Sequence, residues 1–461
     1  MVRIRYDLPA DFFSKGFTTE TDLFQKKDLA DRLSKLYGSL THGTVAILDG
    51  RWGSGKSVFA QQWKTHLENT GIPCIYFDAF ASDYIEDPFT VVASSLVKAA
   101  KMAQSRDDVV YNQFLGAVVK TIRAIAVPSP KLVVKAATFG LIGKDEIDGF
   151  GDASAEIVSD FGEMTESGIA TWLEKQTENH EKFMALRKAL ETLPSVLYKD
   201  LQIRLNIESA EPVKNQSLVV MIDELDRCRP DFALSILEVL KHFFGTSSIH
   251  FVLITNLNHL TSSVNNRYGT GESSIEYIQK FYDFIIPFEG RKASLSETNA
   301  SLHTRRLLEQ LFTGMRNQEG YDLAEVISQM VAAYNLSLRQ AERIVTNIVL
   351  CNIDYSSTNF RPAILVALLV LIKSEQPALF YSIKGDRYNN IDLQEFIDKG
   401  TWAGNIPIER LKKIILYHSD PNIDENDVSF EGYAFPMFGF HFRSRMEVLP
   451  YLANSVVDKY T

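Results

Sequence analysis

Residues 50–57 read Gly-Arg-Trp-Gly-Ser-Gly-Lys-Ser and fit the pattern G-x-x-x-x-G-K-[ST] at every fixed position. Glycines let the backbone curl so that successive N–H groups point at phosphate oxygens. In this pattern Lys56 reaches the β- and γ-phosphates of a nucleotide, and the hydroxyl of Ser57 ligates Mg²⁺. The octet therefore predicts a phosphate-binding loop. The predicted nucleotide contacts are Gly50, Trp52, Gly53, Ser54, Gly55, Lys56, Ser57 and Val58.

The flanking residues predict the strand and the helix that such a loop requires. Residues 44–48 form a short apolar run typical of a buried strand. After the loop, Phe59, Trp63 and Leu67 recur at helical spacing, and Gly71 predicts the end of the helix. The positive end of the helix dipole adds to the attraction for phosphate. A glycine-rich turn with an incidental lysine is the alternative, and the order of strand, loop and helix argues against it.

A second apolar run, residues 218–222, ends in two adjacent carboxylates, Asp223 and Glu224. A continuous apolar run is typical of a central parallel strand covered on both faces. Ligands bind at the carboxyl ends of such strands. Asp223 is predicted to support the metal opposite Ser57, and Glu224 to polarise the water that attacks the γ-phosphate. An acidic turn that merely ends the strand is the alternative.

Two further polar residues are candidates for catalysis. Arg227 can stabilise charge on the transferring phosphate, in its own subunit or a neighbour's, or it can form a structural ion pair with Asp226. A third apolar run, residues 250–254, is followed by Asn256, which is the candidate that senses the γ-phosphate. The alternative for Asn256 is an asparagine that starts the next turn.

The string Asp-Glu-Leu-Asp-Arg-Cys at 223–228, after a hydrophobic strand and together with this loop, resembles the KAP family of P-loop NTPases. Residues 75–80 with 87–89, and 277–281 through 286–288, are similar to the family's second strand and to the segment that closes its core. The resemblance covers roughly residues 20–350. It implies ATP binding, slow hydrolysis and a bacterial protein in signalling, membrane-linked or mobile-element defence functions. Asp78 and Phe80 stand where the family more commonly has Asn and Trp.

Composition limits the class of protein. The chain has 461 residues, which predicts two or three domains. A net charge of −10 argues against a protein that coats nucleic acid. The three cysteines have no metal-ligand spacing and are expected to be buried reduced thiols, and residues 1–6 lack the apolar core of a signal peptide. We therefore expect a cytoplasmic protein, with peripheral contact at the inner membrane face as an alternative.

Lys56 and Asp223 are 167 positions apart, which is more than a minimal P-loop core needs. The sequence therefore predicts a core at 1–94 and 205–290 and a helical insertion at 95–204. Residues 124–143 are the best membrane-span candidate, but two prolines and two central lysines argue against a span. The net charge is +6 over residues 98–144 and −9 over residues 145–182. The charge balance favours packing of the basic segment 98–144 against the acidic one within the chain. The alternative is that the basic segment lies on an anionic membrane surface or docks on a partner.

Helical apolar spacing dominates the sequence after residue 290, which predicts a helical C-terminal domain at 291–461. Ser294 and Ser337 are predicted N-caps, with Glu297 and Gln340 three positions on. The helix after Ser337 resembles the family's lid helix. Arg339 and Arg343 on that helix are candidates to reach bound nucleotide, although solvent-facing or structural arginines are common.

The predicted fold is an α/β P-loop NTPase domain with a mainly parallel sheet, a helical insertion and a helical C-terminal domain. The predicted function is ATP binding and hydrolysis with Mg²⁺, coupled to conformational change or assembly. The alternative is an ATP-gated interaction module in which hydrolysis is incidental; a small-molecule kinase is disfavoured, since no second-substrate pocket is evident. The partners expected are an unidentified protein and further copies of this chain in an ATP-dependent homo-oligomer. If the chain assembles in this way, a basic residue is expected to act across its subunits, and the candidates are Arg227, Arg267 and Lys280.

Overall fold

The computed structural model divides the chain into two compact units. The first contains residues 10–50 and 56–288, and the second contains residues 51–55 together with the chain from residue 289 onward. The short segment 51–55 thus packs with the C-terminal helices. The residues that the structure describes are 8–85, 88–103, 116, 187–188, 190–206, 216–243, 248–268, 273–288, 298–311, 323–351, 360–402, 406–424 and 444–461.

A five-stranded sheet forms the centre of the first unit, and all of its strand pairs are parallel. The strands lie in the order β2-β3-β4-β1-β5. The first strand in the chain, β1, therefore lies between the last two, β4 and β5. This architecture confirms the predicted α/β fold with a parallel sheet. The strands are β1 (Val45–Asp49), β2 (Cys74–Asp78), β3 (Leu218–Asp223), β4 (Ile249–Thr255) and β5 (Phe284–Pro287).

The register of the strands brings their carboxyl ends to one edge of the sheet. Asp78 at the end of β2 lies opposite Asp223 at the end of β3, and Asp49 at the end of β1 lies opposite Thr255 at the end of β4. Parallel strands that end together leave a crevice beyond their carboxyl ends where ligands bind. The sheet therefore places the predicted catalytic residues at a suitable edge.

Apolar side chains cover both faces of the sheet, because every residue of β3 and β4 is buried. On one face, Val219 and Met221 of β3 join a cluster with Phe59 and Trp63. On the other face, Val220 and Ile222 join a larger cluster that includes apolar side chains from residues 91–103 and 190–197. Such two-sided burial explains why the strands read as continuous apolar runs.

Besides the sheet, seven α-helices are described in the first unit. Short 3₁₀ turns follow β2 at Phe80–Ser82 and β3 at Leu225–Arg227. Most of the predicted insertion at 95–204, including residues 124–143, lies outside the described residues. The helices are α1 (Lys27–Ser39), α2 (Lys56–Asn69), α3 (Pro88–Met102), α4 (Leu193–Leu205), α5 (Pro230–Phe243), α6 (Leu257–Tyr268) and α7 (Ser273–Gln279).

The regular secondary structure described in the second unit is helical. Its core is organised around α11, in which residues 363–372 are all buried. No helix in the described ranges combines the length and the apolar composition that a membrane span needs. The helices are α8 (Asn299–Leu311), α9 (Leu323–Ala333), α10 (Leu338–Leu350), α11 (Phe360–Glu375), α12 (Pro377–Lys384), α13 (Asn390–Lys399), α14 (Ile406–Ser419) and α15 (Val448–Tyr451).

The predicted cap at Ser337 is confirmed. The Ser337 hydroxyl accepts a hydrogen bond from the Gln340 N–H, while the Gln340 side chain accepts one from the Ser337 N–H. This reciprocal pair satisfies two backbone donors at the start of α10. The other predicted cap, Ser294, lies outside the described residues. The helix begins later than that prediction, at Asn299, and the Thr298 hydroxyl before it accepts a hydrogen bond of 3.1 Å from the Ser301 N–H.

Candidate functional site

The predicted phosphate loop connects β1, which ends at Asp49, to α2, which begins at Lys56. Gly53 has a φ of +71° and Gly55 a φ of +94°. Residues with a Cβ rarely adopt these left-handed conformations, so the backbone of the loop requires glycine at both positions. The loop therefore has the strand–loop–helix context that the octet predicts.

Hydrogen bonds fix the base of the loop to the neighbouring strand β4. The Gly50 N–H donates to the Thr255 carbonyl over 3.3 Å, and the Asp49 carboxylate accepts from the Leu257 N–H over 2.8 Å. The two ends of the adjacent strands β1 and β4 are thereby held together. A loop anchored in this way is preorganised for a ligand.

The tip of the loop, residues 51–55, carries a polar group suited to phosphate. The Ser54 N–H donates to the Arg51 carbonyl over 3.2 Å, which closes a tight turn. The Ser54 hydroxyl is buried and has no hydrogen-bond partner among the described residues. A buried hydroxyl normally has a partner, and a phosphate oxygen fits that need. The indole of Trp52 is 44% exposed, and Val58 is half-buried on α2.

Lys56 is buried at the first position of α2 and its ammonium donates to the Gly50 carbonyl over 2.5 Å. Burial lowers the pKa of Lys56, while the carboxylates of Asp226, Asp223 and Asp49 oppose that shift. The ammonium therefore lies in the field of three acidic side chains, two at the ends of β1 and β3 and one in the turn that follows β3. This is a suitable position for a cation that shares a phosphate site with a metal ion.

The Asp223 carboxylate is only 2% exposed and accepts two hydrogen bonds. Its Oδ1 accepts from the Glu224 N–H over 2.7 Å, and its Oδ2 accepts from the Tyr76 hydroxyl over 2.6 Å. The Ser57 hydroxyl, at the start of α2, lies close enough to the carboxylate to affect its pKa. Burial raises the pKa of Asp223, while the hydroxyls of Tyr76 and Ser57 and the Glu224 N–H lower it.

Glu224 follows Asp223 with a φ of +59°, a left-handed conformation that is uncommon for residues other than glycine. Its carboxylate forms an ion pair with Arg227, with 2.6 Å between Arg227 Nη2 and Glu224 Oε1. The sequence left open an ion pair of Arg227 with Asp226. The structure instead pairs Arg227 with Glu224, because the 3₁₀ turn at 225–227 places residues three apart on one side.

Asn256 follows β4 at the same edge of the sheet, half-buried. Its Oδ1 accepts from the His259 N–H over 3.3 Å, which is the geometry of an N-cap on α6. Its predicted part in sensing phosphate stays a prediction. The adjacent Thr255 is fully buried, and its hydroxyl has no partner among the described residues.

The family model for the KAP family P-loop domain matches residues 26–352 of this chain. The chain belongs to the KAP family. The match spans both sequence motifs and the five strands of the sheet, so the P-loop NTPase fold follows from two independent observations. Family membership also supports nucleotide binding.

The structure is similar to that of the Aeropyrum pernix ORC2 protein in ADPNP–ADP complexes, with 13% sequence identity and a TM-score of 0.28. The alignment covers 74% of this chain and 76% of that chain. This likeness is too distant to bear on the site. No match was found among curated proteins.

The donor set of the KAP site fits Mg²⁺. Asp223 and Ser57 supply hard oxygen donors that already contact each other. Mg²⁺ is commonly held by one or two protein oxygens, with phosphate oxygens and waters completing the octahedron. The described residues contain no group of three or more His, Cys, Asp or Glu side chains arranged for a metal ion.

The three candidates for a basic residue that acts across subunits lie in different surroundings. Arg227 is paired with Glu224, as described above. The ammonium of Lys280 lies 5.7 Å from the centre of the Tyr277 ring, on the surface. Arg267 belongs to α6, but its side chain lies outside the described part. Only Arg227 is therefore known to lie near a predicted catalytic group.

The lid-like helix α10 contacts the tip of the phosphate loop. The Leu338 N–H donates to the Gly53 carbonyl over 2.9 Å. A Cβ on Gly53 would lie 3.0 Å from the Cβ of Arg339 and 3.2 Å from that of Ser337. The absence of a side chain at residue 53 thus permits the close approach of α10.

Sequence reasoning missed Tyr76 as part of the site. The string 75–80 indicated only a strand of the family type. The alternation of side chains along β2 puts Tyr76 on the same face as Asp78, and this was the available signal. The sequence does not show that β2 pairs with β3, so this position of Tyr76 could not be linked to Asp223.

Proposed function

We propose that this protein binds ATP together with Mg²⁺ and hydrolyses it, and that the bound state drives a conformational change or assembly. The observation that carries the proposal is the contact of Asp223 with Ser57. This contact brings together two motifs that are far apart in the sequence. They meet beside the anchored glycine loop. The choice of ATP over GTP follows the resemblance to KAP NTPases.

Each residue of the site has a role in this proposal. The loop amides and the Lys56 ammonium bind the phosphates, and Ser57 and Asp223 hold Mg²⁺. The metal ion, when bound, neutralises charge that develops on the phosphate oxygens. Glu224 orients a water molecule for in-line attack, and Asn256 contacts the γ-phosphate. The proposal needs Glu224 to leave Arg227, because a carboxylate held in an ion pair is a weaker base.

The experiment that tests hydrolysis is phosphate release from ATP by the full chain, with Mg²⁺ or with EDTA. We expect Mg²⁺-dependent release, and loss of about 100-fold or more in Glu224→Gln, since a positioned general base contributes typically 10²–10⁴-fold. ATP binding should persist in that variant. Equal rates in the wild-type protein and Glu224→Gln would refute the assignment of Glu224.

A second candidate function is an ATP-gated interaction module in which turnover is incidental. The ion pair between Glu224 and Arg227 favours it, because the pair occupies the carboxylate that hydrolysis requires. The same Glu224→Gln variant separates the two functions. Loss of biological output with ATP still bound favours the hydrolase, whereas persistent or constitutive output favours the module.

We also propose that ATP promotes assembly of several copies of the chain. In such an assembly a basic residue of one copy would reach the phosphates of the next. Light scattering coupled to size-exclusion chromatography, with and without ATP and Mg²⁺, tests this. A mass that is the same under both conditions would contradict nucleotide-dependent assembly.

A further inference from the structure

Tyr76 approaches Asp223 diagonally across two neighbouring strands. In the pairing of β2 with β3, Asp78 lies opposite Asp223, and Tyr76 lies two positions earlier, opposite Met221. Positions two apart on a strand share a face, and a diagonal neighbour is within reach of an aromatic side chain. The Tyr76 hydroxyl spans this diagonal and donates a hydrogen bond of 2.6 Å to Asp223 Oδ2.

The bond from Tyr76 complements the other contacts of the carboxylate. The Glu224 N–H holds Oδ1, and the Tyr76 hydroxyl holds Oδ2. With both oxygens engaged, rotation of the carboxylate about its bond to Cβ is restricted. Hydrogen bonds to a carboxylate are charge-assisted and are roughly twice as strong as neutral ones.

Helix α2 contributes to the same arrangement. Ser57 and Gln61 are four residues apart, so they lie one helical turn apart on one face. The Ser57 hydroxyl lies beside Asp223, and Gln61 Nε2 lies 3.5 Å from the Tyr76 hydroxyl oxygen, at the limit of a hydrogen bond. An N–H directed at that oxygen leaves the hydroxyl proton for Asp223.

We infer that Tyr76 is a positioning residue that orients the Asp223 carboxylate for Mg²⁺ bound with the nucleotide. The inference rests on the proposed function and adds a residue that neither motif contains. Partners that orient a metal ligand in this way typically change metal affinity 10–100-fold when they are removed. The hydrogen bonds described for Tyr76 join it to Asp223 and Gln61, and neither is a predicted phosphate-binding residue. Loss of the Tyr76 hydroxyl should therefore affect the metal and leave contacts to the nucleotide itself intact.

The test is calorimetric titration of the full chain with a non-hydrolysable ATP analogue, in EDTA and in excess Mg²⁺. For Tyr76→Phe we expect the enhancement of affinity by Mg²⁺ to fall about 10-fold. Affinity in EDTA should match the wild type, because the ring is retained in the apolar cluster beside Met221. A Mg²⁺ titration at fixed analogue should show the midpoint shifted to higher concentration by a similar factor.

Tyr334→Phe is the matched control. The Tyr334 hydroxyl also donates over 2.6 Å, to the carbonyl of Phe396 among the C-terminal helices. This variant should keep the wild-type enhancement by Mg²⁺. A wild-type enhancement in Tyr76→Phe, or equal losses in EDTA and in Mg²⁺, would overturn the role of Tyr76. If the wild-type protein itself fails to bind the analogue, the proposed function fails, and the role of Tyr76 fails with it.

Discussion

The peptide N–H of Leu338 donates a hydrogen bond of 2.9 Å to the carbonyl of Gly53. This bond joins the first turn of α10 to the tip of the phosphate loop. The loop that would receive phosphate is thus also the loop that contacts the lid-like helix.

Gly53→Ala should weaken this contact and destabilise the protein. The backbone of the new alanine must keep a φ of +71°, and its methyl group would lie 3.0 Å from the Cβ of Arg339. The left-handed conformation alone costs about 1–2 kcal/mol, and overpacking typically adds about 1–3 kcal/mol. Urea unfolding measured by circular dichroism gives the free energy of unfolding.

Gly71→Ala is the control for backbone strain. Gly71 has a φ of +84°, and a Cβ added there meets nothing within 4 Å. This variant should therefore show only the cost of the left-handed conformation, about 1–2 kcal/mol. Equal losses of stability in the two variants would mean that the approach of α10 to Gly53 contributes nothing.

Arg227→Met should release Glu224 and raise basal ATP turnover. The ion pair is partly exposed, with 34% of the Arg227 side chain and 18% of the Glu224 side chain accessible. Such pairs contribute up to about 1 kcal/mol, so the expected increase is at most about 5-fold. Steady-state phosphate release measures it.

Arg229→Met is the control for loss of an arginine in the same segment. The Arg229 guanidinium donates to the carbonyl of Asp83, and no bond of Arg229 to Glu224 is described. Its turnover should equal that of the wild type. A fall in turnover in Arg227→Met, with Arg229→Met unchanged, would show instead that Arg227 stabilises the transferring phosphate.

His250 should make stability depend on pH. Burial lowers the pKa of His250 to about 4 from its usual 6.5. A depressed pKa gives stability that is complete above pH 6.5 and is lost as the pH falls towards 4, because only the unfolded chain binds the proton readily. A shift of this size corresponds to about 3 kcal/mol.

The measurement is urea unfolding at pH 7 and at pH 4.5 for the wild type, His250→Gln and His42→Gln. His250→Gln removes the buried imidazole and should lose less stability on acidification than the wild type does. The exposed His42 should have no such effect. Parallel pH profiles for all three proteins would exclude His250 as a source of the pH dependence.

Local sequence predicted the elements of the core closely. The apolar runs 44–48, 218–222 and 250–254 correspond to β1, β3 and β4 within a residue at each end. The glycine spacing, Lys56 and the cap at Ser337 likewise depend on contacts within a few residues. These features can be read from residue type and spacing, because their partners lie nearby in the chain.

The remaining features depend on pairing between distant segments. The order β2-β3-β4-β1-β5 decides that Tyr76 meets Asp223, which lies 147 positions away. The left-handed turn at Glu224 decides that Arg227 pairs with Glu224. Neither the strand order nor that turn has a signature in the neighbouring residues, so the positioning role of Tyr76 and the ion pair became visible only in the structure.

The most direct test of the account is calorimetric titration with Mg²⁺ and a non-hydrolysable ATP analogue. The variants are Lys56→Met and Lys64→Met, since Lys64 lies on the same helix and pairs with Glu68 on the surface. The account predicts heat of binding for the wild type and for Lys64→Met. It predicts an affinity at least about 10-fold weaker for Lys56→Met, because charge-assisted bonds to phosphate are lost. No heat with the wild type, or equal affinity in all three proteins, would contradict it.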